Sequence, residues 1–320
     1  MITITAGSAS SLWVKTVNAV LASGAPCDPR GLGTWEVIGA HLTLTDPRRR
    51  LVSVPPARVI NVAFAVAEAV WILSGSDAPW IYTYNERLRE FADGHELRGA
   101  YGPRLRRWAG HADQLDHARR QLLEDPATRR AVIQLWDPAC DYQGSRDVPC
   151  TLGYWFALRG GRLEMHTMMR SQDLWLGFCY DIFAATIVHE LMAGWTGAEL
   201  GEYHLHVGSL HLYDQHLAGA RALAGEGLLP GAGGSGREVI PELAVPWSDL
   251  DSVLDAVIAG HRCGQPGWDE AAQVMRSYRM YKQGDRGAAR ELAGQTAGQL
   301  AEALGRWYSH LDQVLTSRRT

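Results

Sequence analysis

The sequence predicts an α+β fold, in which helices cover a sheet of mixed strands and a helical C-terminal part follows. Two long apolar segments indicate buried helices, and strand-like segments follow one another closely between residues 131 and 169. The segments beyond residue 247 have helical periodicity with a charged face. With 46% hydrophobic and 21% charged residues among 320, the chain can bury a large core as one extended domain or two ordinary ones.

In the first half of the chain we predict, in order, a short helix, a strand, a buried helix and a further helix. The buried helix is the most informative, because nearly all of its residues are apolar and prolines and a glycine bound it. The predicted ranges are Ser11–Ala22, Thr34–Leu44, Ala57–Leu73 and Asp113–Glu124.

Three strands, a second apolar helix and three C-terminal helices follow. Gly160-Gly161 makes the second and third strands a hairpin, and Asp181 is expected to cap the apolar helix. The strands are Ala131–Trp136, Leu152–Leu158 and Arg162–Met169, and the helices are Ile182–Gly194, Ser248–Ala259, Trp268–Lys282 and Arg286–Leu315.

The segment Gly231–Gly236 (GAGGSG) has the composition of a flexible surface connection. It divides the chain into residues 1–236 and residues 237–320. The second part is interpreted as a strand and helices that either belong to the same domain or form an appendage.

Charge and cysteine usage exclude several classes of protein. The formal net charge of −4, from 31 basic and 35 acidic residues, argues against binding to nucleic acid or an anionic membrane. No stretch approaches the roughly 20 apolar residues of a membrane span, and the first charge, Lys15, follows the apolar N-terminal residues, unlike a secretory signal. Five cysteines without CxxC spacing indicate free thiols in the cytoplasm and no zinc framework.

Cys150 follows a proline and opens a predicted strand, where rigid backbone can aim a side chain into a cleft. A buried free cysteine is more often a small hydrophobe than a nucleophile, so the residue alone indicates little. Downstream lies an R-S-x-D cluster, whose arginine can lower a thiol pKa from about 8.5. The cluster consists of Arg170, Ser171 and Asp173, and Gly177 and Asp181 follow it.

Four nearby histidines raise the question of a metal site. His-x-His spacing on a strand can place two imidazoles on one face. No Asp, Glu or Cys stands beside them with recognisable spacing, so we expect no metal. The His189-Glu190 pair precedes LMAGW and is therefore not a zincin motif. The four histidines are His204, His206, His211 and His216.

The order of these motifs resembles the thymidylate synthase family. The core of the resemblance is PC-x19-RS-x-D-x3-G-x3-[N/D], and Glu68 in AEAVWILSG matches the family's glutamate in a helix that ends Trp-(aromatic or aliphatic)-Leu-x-Gly. The resemblance runs from about Arg30 to His216 and implies a thymidylate synthase-like fold with residues 1–236 as its catalytic domain. The other matching motifs are Arg30 in DPRG, Tyr101 in AYG, the pair Arg129-Arg130, Trp136, and His211, Leu212 and Tyr213 in HLY.

The resemblance implies folate-dependent chemistry at C5 of a pyrimidine nucleoside monophosphate. The Cys150 thiolate would add to C6, so that C5 can attack the one-carbon unit of 5,10-methylenetetrahydrofolate. Glu68 is implied to organise proton transfer through water, since burial in an apolar helix raises a carboxyl pKa. Tyr101 is implied as a further catalytic residue, and Asp173 and Gly177 are implied to contact the folate.

The same resemblance implies how an anionic substrate is held despite the negative net charge. Guanidinium groups bind phosphate oxygens bidentately, and in the family one arginine pair reaches across from the other subunit of an obligate homodimer. His211 and Tyr213 are implied to bind the sugar 3′-hydroxyl, and Asp173 to contact the nucleotide. The implied phosphate ligands are Arg30, Arg129, Arg130, Arg170 and Ser171.

Position 181 bears on the choice of base. Thymidylate synthases have asparagine there, which matches uracil N3–H and O4, whereas this chain has Asp181. A protonated carboxylic acid donates to N3 and accepts from the N4 amino group of cytosine. The resemblance is therefore to the deoxycytidylate (cytidylate) hydroxymethylase branch. The alternative is that Asp181 only caps the helix, and the two roles are compatible.

Two further hypotheses stay open. Water or hydride can complete the reaction at C5, and the polar end LTSRRT, where the synthases have a short apolar segment, favours water and a hydroxymethyl product. A C5 methylase of dCMP or dUMP is the enzymatic alternative. The non-catalytic alternative is a nucleotide-binding protein that has lost turnover. The presence of Cys150, Glu68 and the arginine set argues against this alternative.

Overall fold

A computed structural model of the chain describes residues 1–94, 96–225, 240–296 and 298–317. The strands in this part are β1 (Ile2–Ala6), β2 (Ala25–Cys27), β3 (Thr34–Leu44), β4 (Val132–Gln134), β5 (Thr151–Arg159), β6 (Arg162–Asp173) and β7 (Glu199–Tyr213). They form one sheet with the order β1-β3-β7-β6-β5-β4, and β2 pairs with β3. The β1-β3 and β6-β7 pairs are parallel and the other pairs antiparallel, so the predicted mixed sheet is confirmed.

Helices surround this sheet and make up the C-terminal part, which confirms the α+β class. The helices are α1 (Ala9–Ser23), α2 (Val62–Leu73), α3 (Tyr101–Arg106), α4 (Gln114–Glu124), α5 (Pro138–Asp141), α6 (Phe178–Thr196), α7 (Asp214–Gly225), α8 (Leu250–Ala259), α9 (Pro266–Lys282), α10 (Arg286–Gly294) and α11 (Gln299–Ser317). Short 3-10 turns cover Pro29–Gly31, Pro79–Thr83, Glu86–Phe91 and Trp247–Asp249. No helix of the described residues combines the length and apolar composition needed to cross a membrane.

The core lies where α1 and α6 pack against the sheet and against each other, and where α2 packs against α6. Nearly every residue of α2 and α6 is buried, as expected for helices that are apolar all round. Trp13 of α1 is fully buried, and its indole N–H donates to the Leu174 carbonyl at 2.7 Å. The helices α8, α9 and α11 pack against α2. The division at residue 236 stays a prediction, since that residue and Gly231–Gly236 lie outside the described residues.

The buried helix begins later than predicted, at Val62 and not at Ala57. Val54 and Arg58 exchange backbone hydrogen bonds of 3.1 and 2.7 Å around the two prolines, which keeps this stretch out of the helix. Helix formation then starts at Asn61, whose side chain accepts from the Phe64 N–H at 3.2 Å.

The second apolar helix begins earlier than predicted, and Asp181 is not its cap. The helix α6 starts at Phe178 with Gly177 at the N-cap, which places Asp181 in the first turn. The reason is Asp173, whose carboxylate accepts from the Trp175 and Leu176 N–H groups at 2.8 and 3.1 Å and so turns the chain into the helix.

Other boundaries differ by smaller amounts. The predicted helix Arg286–Leu315 is two helices, α10 and α11, separated near Gly298 with φ 149°. The strand predicted at Arg162–Met169 continues to Asp173, so the R-S-x-D cluster lies within β6. The short strands β1 and β2 were not predicted.

His189 and Glu190 have a structural role in α6. Glu190 is buried, pairs with the guanidinium groups of Arg50 and Arg48, and accepts from the Leu243 N–H at 3.1 Å. His189 Nε2 lies 2.7 Å from the Leu163 carbonyl oxygen. Both side chains are engaged within the core, as expected of a pair that is not a zincin motif.

Candidate active site

The sheet topology brings the predicted chemical residues to one edge. The strands β6 and β7 are parallel, so their C-terminal ends meet there, and the antiparallel strands β5 and β3 begin there. Asp173 is the register partner of His211, and Tyr213 is the partner of Thr34. Cys150 lies directly before β5 at the same edge, and Gly177 and Asp181 follow at the start of α6.

The backbone around Cys150 is held on both sides. The Arg170 guanidinium donates to the carbonyls of Pro149 and Val148 at 2.8 and 2.9 Å, and the Arg170 N–H donates to the Cys150 carbonyl at 2.9 Å. On the other side, the Thr151 N–H donates to the Tyr101 hydroxyl at 3.2 Å. Arg170 and Tyr101 therefore hold the backbone from which the Cys150 side chain projects.

The Arg170 charge lowers the pKa of the Cys150 thiol, as its position in the motif predicts, but the larger effect of burial outweighs it. Burial raises the pKa of the Cys150 thiol, and the Arg170 charge opposes this shift without reversing it. The carboxylates of Asp181, Asp147 and Asp173 act in the same direction as burial. Arg170 is exposed and donates to two carbonyls, so solvent weakens its effect on the sulfur.

Asp181 faces Gln172, an unpredicted neighbour from β6. The Gln172 side-chain amide donates to Asp181 Oδ2 at 2.8 Å. Burial raises the pKa of Asp181 to about 6, although this hydrogen bond lowers it. A carboxyl group with this pKa exists in both the acid and the carboxylate form near neutral pH.

Glu68 of α2 and Tyr101 of α3 lie in the electrostatic field of Asp181. Burial, and then the Asp181 charge, raise the pKa of Glu68 well above its ordinary value. Burial likewise raises the pKa of Tyr101, and the charges of Asp181 and Cys150 add to the shift. The structure therefore brings Cys150, Asp181, Glu68 and Tyr101 into one cluster, in which burial opposes the ionisation of Glu68 and Tyr101.

The predicted sugar and phosphate residues are only partly brought together. The charges of Asp173, Arg30 and Cys150 all affect the pKa of Tyr213, which places Arg30 and Tyr213 beside this site. His211 is buried, its ring lies 5.1 Å from that of Tyr213, and burial lowers its pKa. Ser171 also lies near this edge, as the register partner of Ser209.

Arg129 and Arg130 lie elsewhere on the same chain. Both are exposed and directly precede β4, and the Phe156 N–H donates to the Ala131 carbonyl at 3.0 Å. At about 3.3 Å per residue, this is roughly 20 Å from Cys150 along β5. The arginine pair is thus not part of its own chain's cluster around Cys150.

Three neighbours of this cluster were missed from the sequence. They are Gln172, which contacts Asp181; Asp147, which accepts from the Gly99 N–H at 2.9 Å; and Tyr154, whose pKa is raised by burial and then by the charge of Tyr101. Strand alternation could have identified Gln172, since its side chain points to the face opposite those of Ser171 and Asp173. Asp147 and Tyr154 had no signal in the sequence beyond their closeness to Cys150.

The premise that no acidic residue lies beside the histidines does not hold in the folded chain. Glu164, on the strand next to His204, lies with its Oε2 atom 3.9 Å from His204 Nε2. An acidic residue therefore does stand beside this group, although sequence spacing did not reveal it because it comes from another strand.

Comparison with known proteins agrees with this architecture. A family model described as thymidylate synthase matches residues 11–225. A curated relative, the deoxyuridylate hydroxymethyltransferase of Bacillus phage SP01, is 33% identical over 227 residues, which cover 67% of this chain and 59% of the relative. The chain therefore spans less than two thirds of that relative's length. Because the family model accounts for well over half of its residues, this chain belongs to the thymidylate synthase family.

Proposed function

We propose that the protein hydroxymethylates C5 of a cytidine monophosphate, with dCMP favoured over CMP, through a covalent adduct between Cys150 and C6 of the base. Enzymes of this family use methylenetetrahydrofolate as a co-substrate, which supplies the one-carbon unit. The observation that carries the proposal is the Asp181 carboxyl group, whose pKa of about 6 keeps the acid form accessible beside Cys150.

The chain's own residues provide the nucleophile and its surroundings. The Cys150 sulfur would attack C6, which transfers electron density to C5 and turns it into a nucleophile. Tyr101 and Arg170 hold the backbone on either side of the sulfur, so the attack needs little rearrangement. The phosphate of the bound nucleotide would interact with the exposed guanidinium groups of Arg170 and Arg30.

Asp181 supports cytosine as the base. In its acid form the carboxyl donates to N3 and accepts from the N4 amino group. Gln172 already donates to one oxygen of Asp181, so the second oxygen is the one that can carry the proton toward a ligand. Uracil presents N3–H and O4 in the reverse pattern, which the acid form of Asp181 can match only with the proton on Oδ2, the oxygen to which Gln172 already donates.

The side chains near Cys150 suit a flat aromatic co-substrate. Trp136 lies 5.9 Å from the Arg170 guanidinium carbon, and its ring packs edge-on against that of Tyr142 at 5.8 Å. Tyr142 is 76% exposed, so this aromatic surface is open to stacking by a pterin ring. Asp173 ends β6 and Gly177 is the N-cap of α6, and we propose both as further folate contacts.

The hydroxymethyl product is supported by the phage relative, whose name gives it that chemistry on deoxyuridylate. That name also makes dUMP the second candidate substrate. The two bases are distinguished by incubating the protein with dCMP, CMP or dUMP, each tritiated at C5, together with methylenetetrahydrofolate. We expect tritium release and a hydroxymethyl product from a cytosine nucleotide, with tetrahydrofolate as the second product. Release from dUMP alone would overturn the choice of base, and formation of dihydrofolate would show a methylase.

Glu68→Gln is expected to slow tritium release from C5 by about 10² to 10³-fold, because the amide cannot relay protons through water. The side chain keeps its size, so the KM for the nucleotide should change little while kcat falls. Steady-state kinetics with C5-tritiated dCMP checks this. Glu124→Gln, at the exposed end of α4, is the matched control and should leave both constants unchanged. A rise in the KM for the nucleotide with unchanged kcat would instead assign Glu68 to substrate binding.

The location of Arg129 and Arg130 supports the proposal that they act across a symmetric homodimer. Within one chain they lie far from Cys150 along β5, and both are exposed. A twofold axis can bring each pair to the partner's nucleotide, where bidentate contacts would neutralise the phosphate.

Mixing two inactive variants tests this arrangement. Cys150→Ala chains and Arg129→Ala/Arg130→Ala chains should each be inactive alone, and a re-equilibrated equal mixture should recover about a quarter of wild-type activity, since half of the dimers carry one intact site. A mixture of Cys150→Ala with Glu68→Gln chains should recover nothing, because both residues belong to the same chain's site. An inactive arginine mixture would refute the contribution across the interface.

A further inference from the structure

Four histidines form a group on three adjacent strands, away from Cys150. His41 of β3 pairs in register with His206 of β7, and His166 of β6 pairs with His204 of β7. The imidazole rings stack, with centroids 4.5 Å apart for His41 and His206 and 4.4 Å apart for His166 and His204. All four are partly buried. We call them the histidine cluster.

An acidic side chain completes a set of ligand atoms at this cluster. Glu164 Oε2 lies 3.8 Å from His166 Nε2 and 3.9 Å from His204 Nε2, and the ligand atoms of the three residues all lie within 4.8 Å of one another. A tetrahedral ion with bonds of about 2.1 Å needs its ligand atoms roughly 3.4 Å apart. Small side-chain rotations close this difference without moving the strands.

The other ring nitrogens of the two histidines already have partners. His166 Nδ1 lies 3.0 Å from His206 Nε2, and His204 Nδ1 lies 3.3 Å from both His41 Nε2 and Thr43 Oγ1. Metal-binding histidines use one nitrogen for the ion and donate from the other to a neighbouring acceptor. With the Nδ1 atoms as donors, the Nε2 lone pairs of His166 and His204 would be available to an ion held beside Glu164.

The charges of the cluster also suit a cation. Glu202 Oε2 lies 3.9 Å from His204 Nε2 and adds a second negative charge.

We propose that Glu164, His166 and His204 bind one divalent transition-metal ion, such as Zn²⁺, and that His206, His41 and Thr43 orient the two imidazoles. Two histidines and one carboxylate are a donor set that zinc accepts, and water completes the coordination. The ion would tie β6 to β7, and it has no part in the chemistry of Cys150. This proposal departs from the expectation of no metal drawn from the sequence.

Metal titration of the full chain, purified without a polyhistidine tag and stripped with chelator, tests the site. We expect one Zn²⁺ per chain by calorimetry and a Co²⁺ form with visible absorption bands. Zinc should raise the thermal midpoint of unfolding, since a ligand that binds only the folded state stabilises it, and excess chelator should reverse the rise. Absence of both zinc and cobalt binding by the wild-type chain would overturn the proposal.

Variants assign the ligands. His204→Ala and Glu164→Gln should each weaken zinc binding by about 100-fold or more, and His206→Ala, which removes only the acceptor for His166 Nδ1, by about tenfold. His261→Ala, an exposed histidine outside the cluster, is the control and should bind zinc as the wild type does. If His204→Ala does not fold by circular dichroism, the isosteric Glu164→Gln decides. Unchanged zinc affinity in Glu164→Gln and in folded His204→Ala would refute this ligand set.

Discussion

Cys150→Ala should abolish tritium release from C5 of dCMP, with a loss of about 10⁴-fold or more. Without the sulfur no adduct forms at C6, and C5 never gains the electron density that its substitution requires. Nucleotide affinity should stay within a few-fold of the wild type, because Arg170 and Tyr101 act on the backbone of this loop. Tritium release and equilibrium binding of dCMP check the two halves of the prediction.

Cys140→Ser is the matched control for this variant. Cys140 is an exposed free cysteine in α5, and its loss should leave turnover unchanged. If Cys150→Ala kept a substantial part of its activity, covalent catalysis at this position would be wrong, whatever the substrate.

Asp181→Asn should reverse the preference between bases, changing the ratio of kcat/KM for dCMP to that for dUMP by about 10³-fold or more toward dUMP. The amide oxygen accepts from N3–H and the amide nitrogen donates to O4 of uracil, which is the pairing implied for the asparagine of the thymidylate synthases. This orientation places the amide nitrogen where Asp181 Oδ2 accepts from Gln172, so the Gln172 amide must turn to present its own oxygen. Kinetics with both nucleotides measure the ratio.

The titration of Asp181 adds a dependence on pH. With a pKa of about 6 the acid form dominates below that value, so dCMP affinity should fall as the pH rises above it. The fall approaches tenfold per pH unit and should be absent in Asp181→Asn. The phosphate of dCMP is the same for both proteins, so the comparison of the wild type with Asp181→Asn isolates the effect of the carboxyl group.

Asp173→Asn is the matched control for base choice. Its carboxylate accepts from the Trp175 and Leu176 N–H groups, a role that the amide oxygen retains in part. We expect reduced turnover with an unchanged preference for cytosine. If Asp181→Asn left the ratio unchanged as well, base recognition would have to reside in another residue.

Much of the fold could be predicted from local patterns. The strand β3 has the predicted bounds Thr34–Leu44, because alternation and a following proline define it without help from distant residues. The starts of α2 and α6 could not be placed, because a backbone bridge between Val54 and Arg58 and the side chain of Asp173 set them. Such contacts depend on tertiary structure and leave little periodic signal.

The candidate site could likewise be predicted only in part. The motif around Cys150 could be found from residue order, since a reactive thiol, an arginine and an acid recur at fixed spacing. The sign of the Cys150 pKa shift could not be predicted, because it depends on burial and on three carboxylates from different segments. The histidine cluster was also hidden, since strand order alone brings Glu164 and His166 beside His204.

The most direct test of the whole account is to incubate the protein with 5-fluoro-dCMP and methylenetetrahydrofolate and to measure its intact mass. Fluorine cannot leave C5 as a proton does, so the reaction should stop with sulfur bonded to C6. We predict a stable mass increase equal to nucleotide plus folate, located by peptide mapping on Cys150. A protein that binds both molecules yet stays at its unmodified mass, or carries the adduct on another residue, would contradict the account.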